Sequence, residues 1–124
     1  IMAHETELKR VVPILPSSDI ERDVAWYGKQ AGFNVDWHDD SYAFIYRDNI
    51  ILHLQWHAGT VDDPLLGGSA IRIFVDQIDP IFKEFVGMGT VNGNKLVKNT
   101  PWKTNEFGFY DLNKNSIHIV QDIE

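Results

Sequence analysis

The sequence predicts an α+β domain built from two βαβββ modules. Three observations predict it. The order strand, helix, strand, strand, strand can be traced twice along the chain, a stretch bearing Gly59, Pro64, Gly67 and Gly68 separates the two tracings, and 124 residues suit a single domain. One such module alone would leave a face of its sheet uncovered, so the two are expected to pair. Module one is expected over about residues 8–57, a linker over about 58–68 and module two over about 69–122.

Module one opens with Lys9 to Leu15, a run rich in β-branched residues that Pro16 closes, which predicts a strand. Ser18 with Glu21 three residues later fits a capping box, so a helix is expected to start there. Ile20, Val24, Tyr27 and Ala31 recur at helical spacing, and Gly32 is expected to stop the helix as a left-handed cap. Phe33, Val35 and Trp37 then alternate with polar residues. Tyr42 to Tyr46 is a second alternating run, Arg47-Asp48-Asn49 a tight turn and Ile50 to His57 a third strand.

Module two opens with Ala70 to Val75 as a strand. Asp79-Pro80 reads as a helix N-cap followed by proline at the first helical position. Ile78, Ile81, Phe82, Phe85 and Val86 form its apolar stripe, and Gly87 or Gly89 ends it. Lys95 to Asn99 is expected as a short strand, Glu106 to Tyr110 as another, Leu112 to Asn115 as a turn, and Ser116 to Gln121 as the last strand.

Neighbouring side chains on a strand point to opposite faces, so parity sorts core from lining. Ile50, Leu52, Leu54 and Trp56 make a wholly apolar face expected to pack under the helices, as do Ile71, Ile73 and Val75, and Ile117 with Ile119. The opposite faces carry His53, Gln55, His57, Arg72, Ser116 and His118. A solvated face usually holds more Lys, Glu and Thr, whereas this mixture suits the lining of a ligand site.

Composition narrows the function. The net charge of −7 argues against a nucleic-acid or anionic-membrane partner. The absence of cysteine excludes disulfides and thiolate chemistry. No apolar run approaches the roughly 20 residues of a membrane span, and no signal-peptide pattern opens the chain, so a cytoplasmic location is expected. Aromatic residues make up 12% of the chain, with four tryptophans, enough to line a cavity for flat ligands as well as fill a core.

The stretch from Val12 to Ile20, followed by Trp26-Tyr27 and Ala31-Gly32-Phe33, resembles the opening of bleomycin-resistance proteins in the glyoxalase/bleomycin-resistance/dioxygenase (vicinal oxygen chelate) superfamily. Pro101-Trp102, Glu106 to Asp111 and Ser116 to Gln121 are similar to that family's close. The resemblance implies modules whose mixed sheets curl into a cup, homodimers with each cup built from both chains, and, in enzymatic members, a divalent metal held from four strand positions. Those positions fall here on Val12, His53, Ala70 and His118. Val and Ala coordinate nothing, and a pair of imidazoles falls short of the roughly three protein ligands of a catalytic site. No cofactor is therefore expected.

Two functions follow from the resemblance. The first is a metal-free protein that sequesters a toxic small molecule such as a bleomycin-type antibiotic, with Trp37, His53, Gln55, His57, Arg72, Trp102, Phe109 and His118 in its binding site. Trp102 stands where the family's stacking tryptophan is expected, and Tyr42, Phe44 and Phe107 are further aromatic candidates. Asp36, Asp39 and Asp40 at the rim would attract a cation, whereas Arg72 with His53, His57 and His118 would make the floor basic and suit an acidic or zwitterionic ligand. The alternative is a metal-dependent lyase or dioxygenase using His53 and His118 as ligands.

Overall fold

The computed structural model describes residues 5–124. Module one runs β1 (Ile14–Ser17), α1 (Ile20–Ala31), β2 (Asn34–His38), β3 (Tyr42–Arg47) and β4 (Ile50–Trp56). Module two runs β5 (Ala70–Phe74), α2 (Ile78–Gly87), β6 (Thr104–Tyr110) and β7 (Ser116–Asp122). The first four strands form one mixed sheet, ordered β1-β4-β3-β2, with β1 parallel to β4. The other three form a second, ordered β5-β7-β6, with β5 parallel to β7. In each sheet the parallel pair is joined through the module's helix, as a parallel connection requires.

Several boundaries differ from the expectation, each for a local reason. The first strand starts at Ile14 rather than Lys9, because Pro13 has no N–H to give, while its carbonyl accepts the His53 N–H at 3.0 Å. Asp19, not Ser18, caps α1, with its carboxylate accepting the Arg22 N–H at 3.0 Å. Ser18 is engaged elsewhere, donating its N–H and hydroxyl to Asn113 Oδ1. Gly32 does end the helix at φ 74°, and a Cβ there would sit 2.6 Å from Arg47 Nη1.

Asp79-Pro80 lies inside α2 instead of starting it. The helix is preceded by Gln77, and the Ile78 N–H finds its acceptor in Gln121 Oε1 on β7, at 2.8 Å. The short strand expected at Lys95 to Asn99 is reduced to one antiparallel bridge, Val97 to Glu106.

Parity holds where the core forms. Leu15, Ile45, Leu52 and Leu54 of the first sheet are buried with Ile20, Tyr27 and Ala31 of α1. Phe107, Phe109, Ile117 and Ile119 of the second are buried with Ile78 and Phe85 of α2. Trp56 departs from the expectation. It stands at the strand end, 42% exposed, with its indole N–H on the Ser18 carbonyl.

Buried polar contacts tie the modules together. Tyr27 on α1 donates its hydroxyl to Asp111 Oδ2 at 2.6 Å, Asn113 donates Nδ2 to Asp23 Oδ2 at 2.6 Å, and Asn115 donates Nδ2 to the Pro16 carbonyl at 3.1 Å. All three acceptor–donor pairs join module one to the β6–β7 turn. At another point on the seam Arg47 grips Glu84 with two bonds of 2.7 Å, the bidentate geometry that favours arginine over lysine.

Candidate binding site

The helices cover one side of each sheet, leaving an open face on each. On the first sheet a β-bulge between Val35 and Trp37 shifts the pairing, so Val35 stands opposite core Ile45 while Trp37 stands opposite Phe44 on the open face. Phe44 is also in register with His53, and their rings stack at 4.4 Å and 23°. Tyr42 closes the group: its hydroxyl and His53 Nδ1 are 2.9 Å apart, and its ring meets Phe44 edge-on at 5.6 Å. Trp37 lies 5.5 Å from Phe44 and is 48% exposed. Trp37, Phe44, Tyr42 and His53 thus form one continuous aromatic wall, with Gln55 exposed at its end in register with Tyr42 and Pro16.

The rim is shaped by Asp39, whose Oδ1 accepts the Ser41 N–H and hydroxyl and the Tyr42 N–H. Those donors, the Ser41 N–H first, hold the Asp39 carboxyl below its ordinary range. His57 does not join the wall. It lies just past β4, with Nδ1 2.7 Å from Asp63 Oδ1, where it pins the linker together with the Ala58 N–H on Asp63 Oδ2.

On the second sheet the open face is laid out in rows across β5, β7 and β6: Ala70, Ser116 and Tyr110, then Arg72, His118 and Gly108, then Phe74, Val120 and Glu106. Gly108 has a specific use here. A Cβ at that position would fall 2.8 Å from His118 Nδ1, so the imidazole lies across the glycine, with Nε2 2.8 Å from Ser116 Oγ. A cavity of about 390 Å³ runs beside this row, with Lys95, Gly108, Ser116 and His118 in its wall.

Arg72 and Glu106 come from the two strands flanking β7, and their side chains meet across it at 3.0 and 3.3 Å. Val120 lies on the open face between them and is nonetheless fully buried. Arg72, followed by the Thr104 hydroxyl and the Trp102 indole N–H, draws the Glu106 carboxyl down to about 2, so it is ionised throughout the neutral range. The expected basic floor is corrected by this pair, because the guanidinium that was to supply the fixed positive charge is neutralised in place. Trp102 is 62% exposed at the edge of the same sheet.

Phe109 lines the cavity beside His118 but is mostly packed inward. It is 8% exposed and packs on Phe85 at 5.3 Å and Trp26 at 6.2 Å, so it belongs to the core, as does Phe107. Both occupy the parity of Ile117 and Ile119, and the same parity rule applied to β6 would have brought out Glu106, Gly108 and Tyr110 as lining instead.

The residues present do not fit the divalent metal of the enzymatic relatives. In register beside His53 stands Ile14, and beside His118 stands Arg72. A hydrocarbon donates nothing, and a guanidinium has no lone pair to offer a metal. His53 and His118 each bond within their own sheet, and among the described residues no three of His, Asp and Glu gather to hold a metal. Nor is any helix among them long and apolar enough to cross a membrane.

Fold and site together define a small α+β protein of paired modules whose sheets each present a helix-free, partly aromatic face. The chain belongs to the glyoxalase superfamily, since the family model of that description matches residues 2–124. A bleomycin resistance protein of Geobacillus stearothermophilus is 25% identical over 127 residues, spanning 91% of this chain and 96% of the relative, and one from Staphylococcus aureus matches to the same extent. The bleomycin-binding protein of Streptomyces verticillus, solved with copper(II)-bleomycin, superposes with a TM-score of 0.77 at 20% identity over 96% of this chain and 99% of that one. The bleomycin resistance determinant of transposon Tn5 gives 0.75 at 20% identity over 93% and 98%. These structures share the fold.

Proposed function

We propose that this protein sequesters a flat, cationic small molecule of the bleomycin type, holding it by stacking and burial without a resident metal. The observation that carries the reading is the half-buried aromatic wall of Trp37, Phe44, Tyr42 and His53, whose outer ring Trp37 is exposed, together with exposed Trp102 at the edge of the other sheet. Stacked rings of this kind contribute affinity beyond the area they bury. Pairing of Arg72 with Glu106 removes the feature that had favoured an acidic ligand, while Asp36, Asp39 and Asp40 stay exposed near the wall. In this reading Trp37, His53, Gln55, Trp102 and His118 face the ligand, and Arg72 and His57 act through their partners.

The working unit is a homodimer. Leu8 and Val11 are 95% and 92% exposed, Ile14 is half-exposed, and Trp37, Phe74 and Trp102 are exposed as well, apolar surface that a second copy would cover. Titration calorimetry with metal-free and with copper-loaded bleomycin tests the ligand. Saturable binding at micromolar concentration or tighter is expected, weakened at least tenfold by Trp37→Ala. No heat at high micromolar concentrations overturns the drug reading and leaves the fold untouched. Sedimentation at the same concentrations tests the dimer, which a monomer mass overturns.

A further inference from the structure

The exposed indole of Trp102 is not left to its own rotamers. It sits in a tight loop in which Thr100 and Thr104 hold one another. The Thr100 N–H bonds the Thr104 carbonyl at 2.9 Å, the Thr104 N–H bonds Thr100 Oγ1 at 3.0 Å, and the Lys103 N–H bonds the Thr100 carbonyl at 2.9 Å. Lys103 takes a positive φ of 65° to close the turn. From β6, Glu106 reaches back under this loop. Its Oε2 accepts the Trp102 indole N–H at 3.1 Å, the Thr104 hydroxyl at 2.6 Å and Arg72 Nη2 at 3.0 Å, while Oε1 takes Arg72 Nη1 at 3.3 Å. The carboxylate side chain is 13% exposed although the indole it holds is 62% exposed.

We propose that Glu106 is a positioning residue that fixes the plane of the Trp102 ring before ligand arrives. This rests on the reading that Trp102 stacks on the ligand. An exposed tryptophan ordinarily samples several rotamers and loses that freedom on binding. Here three donors, two from Arg72 and the Thr104 hydroxyl, anchor the carboxylate, backbone bonds hold the loop, and the carboxylate anchors the ring, so the ordering is completed during folding. Arg72 has a second effect. Bound to Glu106 it is a fastener for the acid; released, it would present an unpaired guanidinium to the ligand.

The test uses the full chain with bleomycin as probe. Glu106→Ala should weaken binding about three- to tenfold, the size of one side chain's ordering cost. Glu106→Gln keeps an acceptor oxygen for the indole and should lose less. In a Trp102→Ala background, Glu106→Ala should change nothing further, because a residue that acts through the ring has no ring left to act on. Glu106→Ala combined with Arg72→Ala removes the freed cation and should stay weak; full recovery would assign the effect to charge and overturn positioning. The indole N–H resonance of Trp102, assigned with Trp102→Phe, gives a readout without ligand: it should move in Glu106→Ala, and an unmoved resonance overturns the inference whatever the affinities. If Trp102→Ala binds like the parent, the stacking role itself fails and the positioning role for ligand falls with it. If Trp102→Ala is weak while Glu106→Ala binds like the parent, only the positioning role falls.

Discussion

Replacing Tyr27 with phenylalanine isolates the bond that joins α1 to the β6–β7 turn. The ring would keep its place, buried among Trp26 at 5.1 Å and Phe33 at 6.0 Å, so little packing changes. What is lost is the hydroxyl that donates to Asp111 Oδ2. Burial, and then the adjacent Asp111 carboxylate, push the phenol far above its ordinary pKa, which keeps it a protonated donor. Asp111 would still accept from the Asn113 N–H at 2.8 Å, the Asn115 N–H at 3.0 Å and Asn115 Nδ2 at 2.8 Å. One charge-assisted bond out of four in a buried site is worth about 2 kcal/mol. With an unfolding entropy of about 2.1 cal/mol/K per residue, that corresponds to a fall in Tm of about 8 °C. Urea unfolding followed by circular dichroism measures it, at one fixed protein concentration so that any self-association is the same for parent and variant. Asp111→Asn and the double variant complete the cycle and report the coupling of the pair. A Tyr27→Phe protein within about 0.5 kcal/mol of the parent would refute the claim that this bond fastens the seam.

Two further outcomes are expected. Gly108→Ala should leave the protein folded, at a cost of about 1 kcal/mol, while turning the His118 ring off the strand and breaking its contact with Ser116; long-range imidazole nitrogen spectra report it, and unchanged His118 resonances would contradict the ring's placement. Acid should weaken the Glu106 contact in a defined window. Its carboxyl is held at about 2 in the folded chain against 4.5 without partners, so its stabilisation is complete above about pH 4.5 and is lost as pH falls to about 2. The gap in Tm between the parent and Glu106→Gln should close over that interval, and a gap constant with pH would remove the ion pair from the stability of this sheet.

Much of the fold was legible because periodicity reports burial directly. Leu52, Leu54, Ile117 and Ile119 alternate in the sequence and are all core. Gly32 was readable as a helix stop because few other residues tolerate its left-handed backbone. What stayed hidden depended on distant partners. Ser18 looked like a cap until Asn113, far along the chain, claimed its donors, and Asp19 took the role. The second helix starts before Asp79 because Gln121, from the last strand, accepts the Ile78 N–H. The site shows the same division. Parity put His53, Arg72 and His118 on the open faces, but it carries no information on pairing, so Arg72 read as free charge when Glu106 two strands away cancels it. Phe109 reads as a ligand contact by residue type, and its strand position packs it mainly into the core while an edge reaches the cavity beside His118.

One residue's worth of extra backbone at Asp36 has a consequence for how this surface can change over evolution or by design. Side chains beyond that irregularity are inverted relative to those before it, so Trp37 shares a side with Phe44 although Val35, two positions earlier, looks toward Ile45. Deleting Asp36 would restore strict pleating and leave the indole beside Phe44, because Trp37 would then directly follow Val35, whereas straightening the strand with Asp36 in place would turn the indole to the side of Val35 and strip the wall of its outermost ring. The local path of the backbone, as well as residue identity, is therefore a lever on what this face can hold.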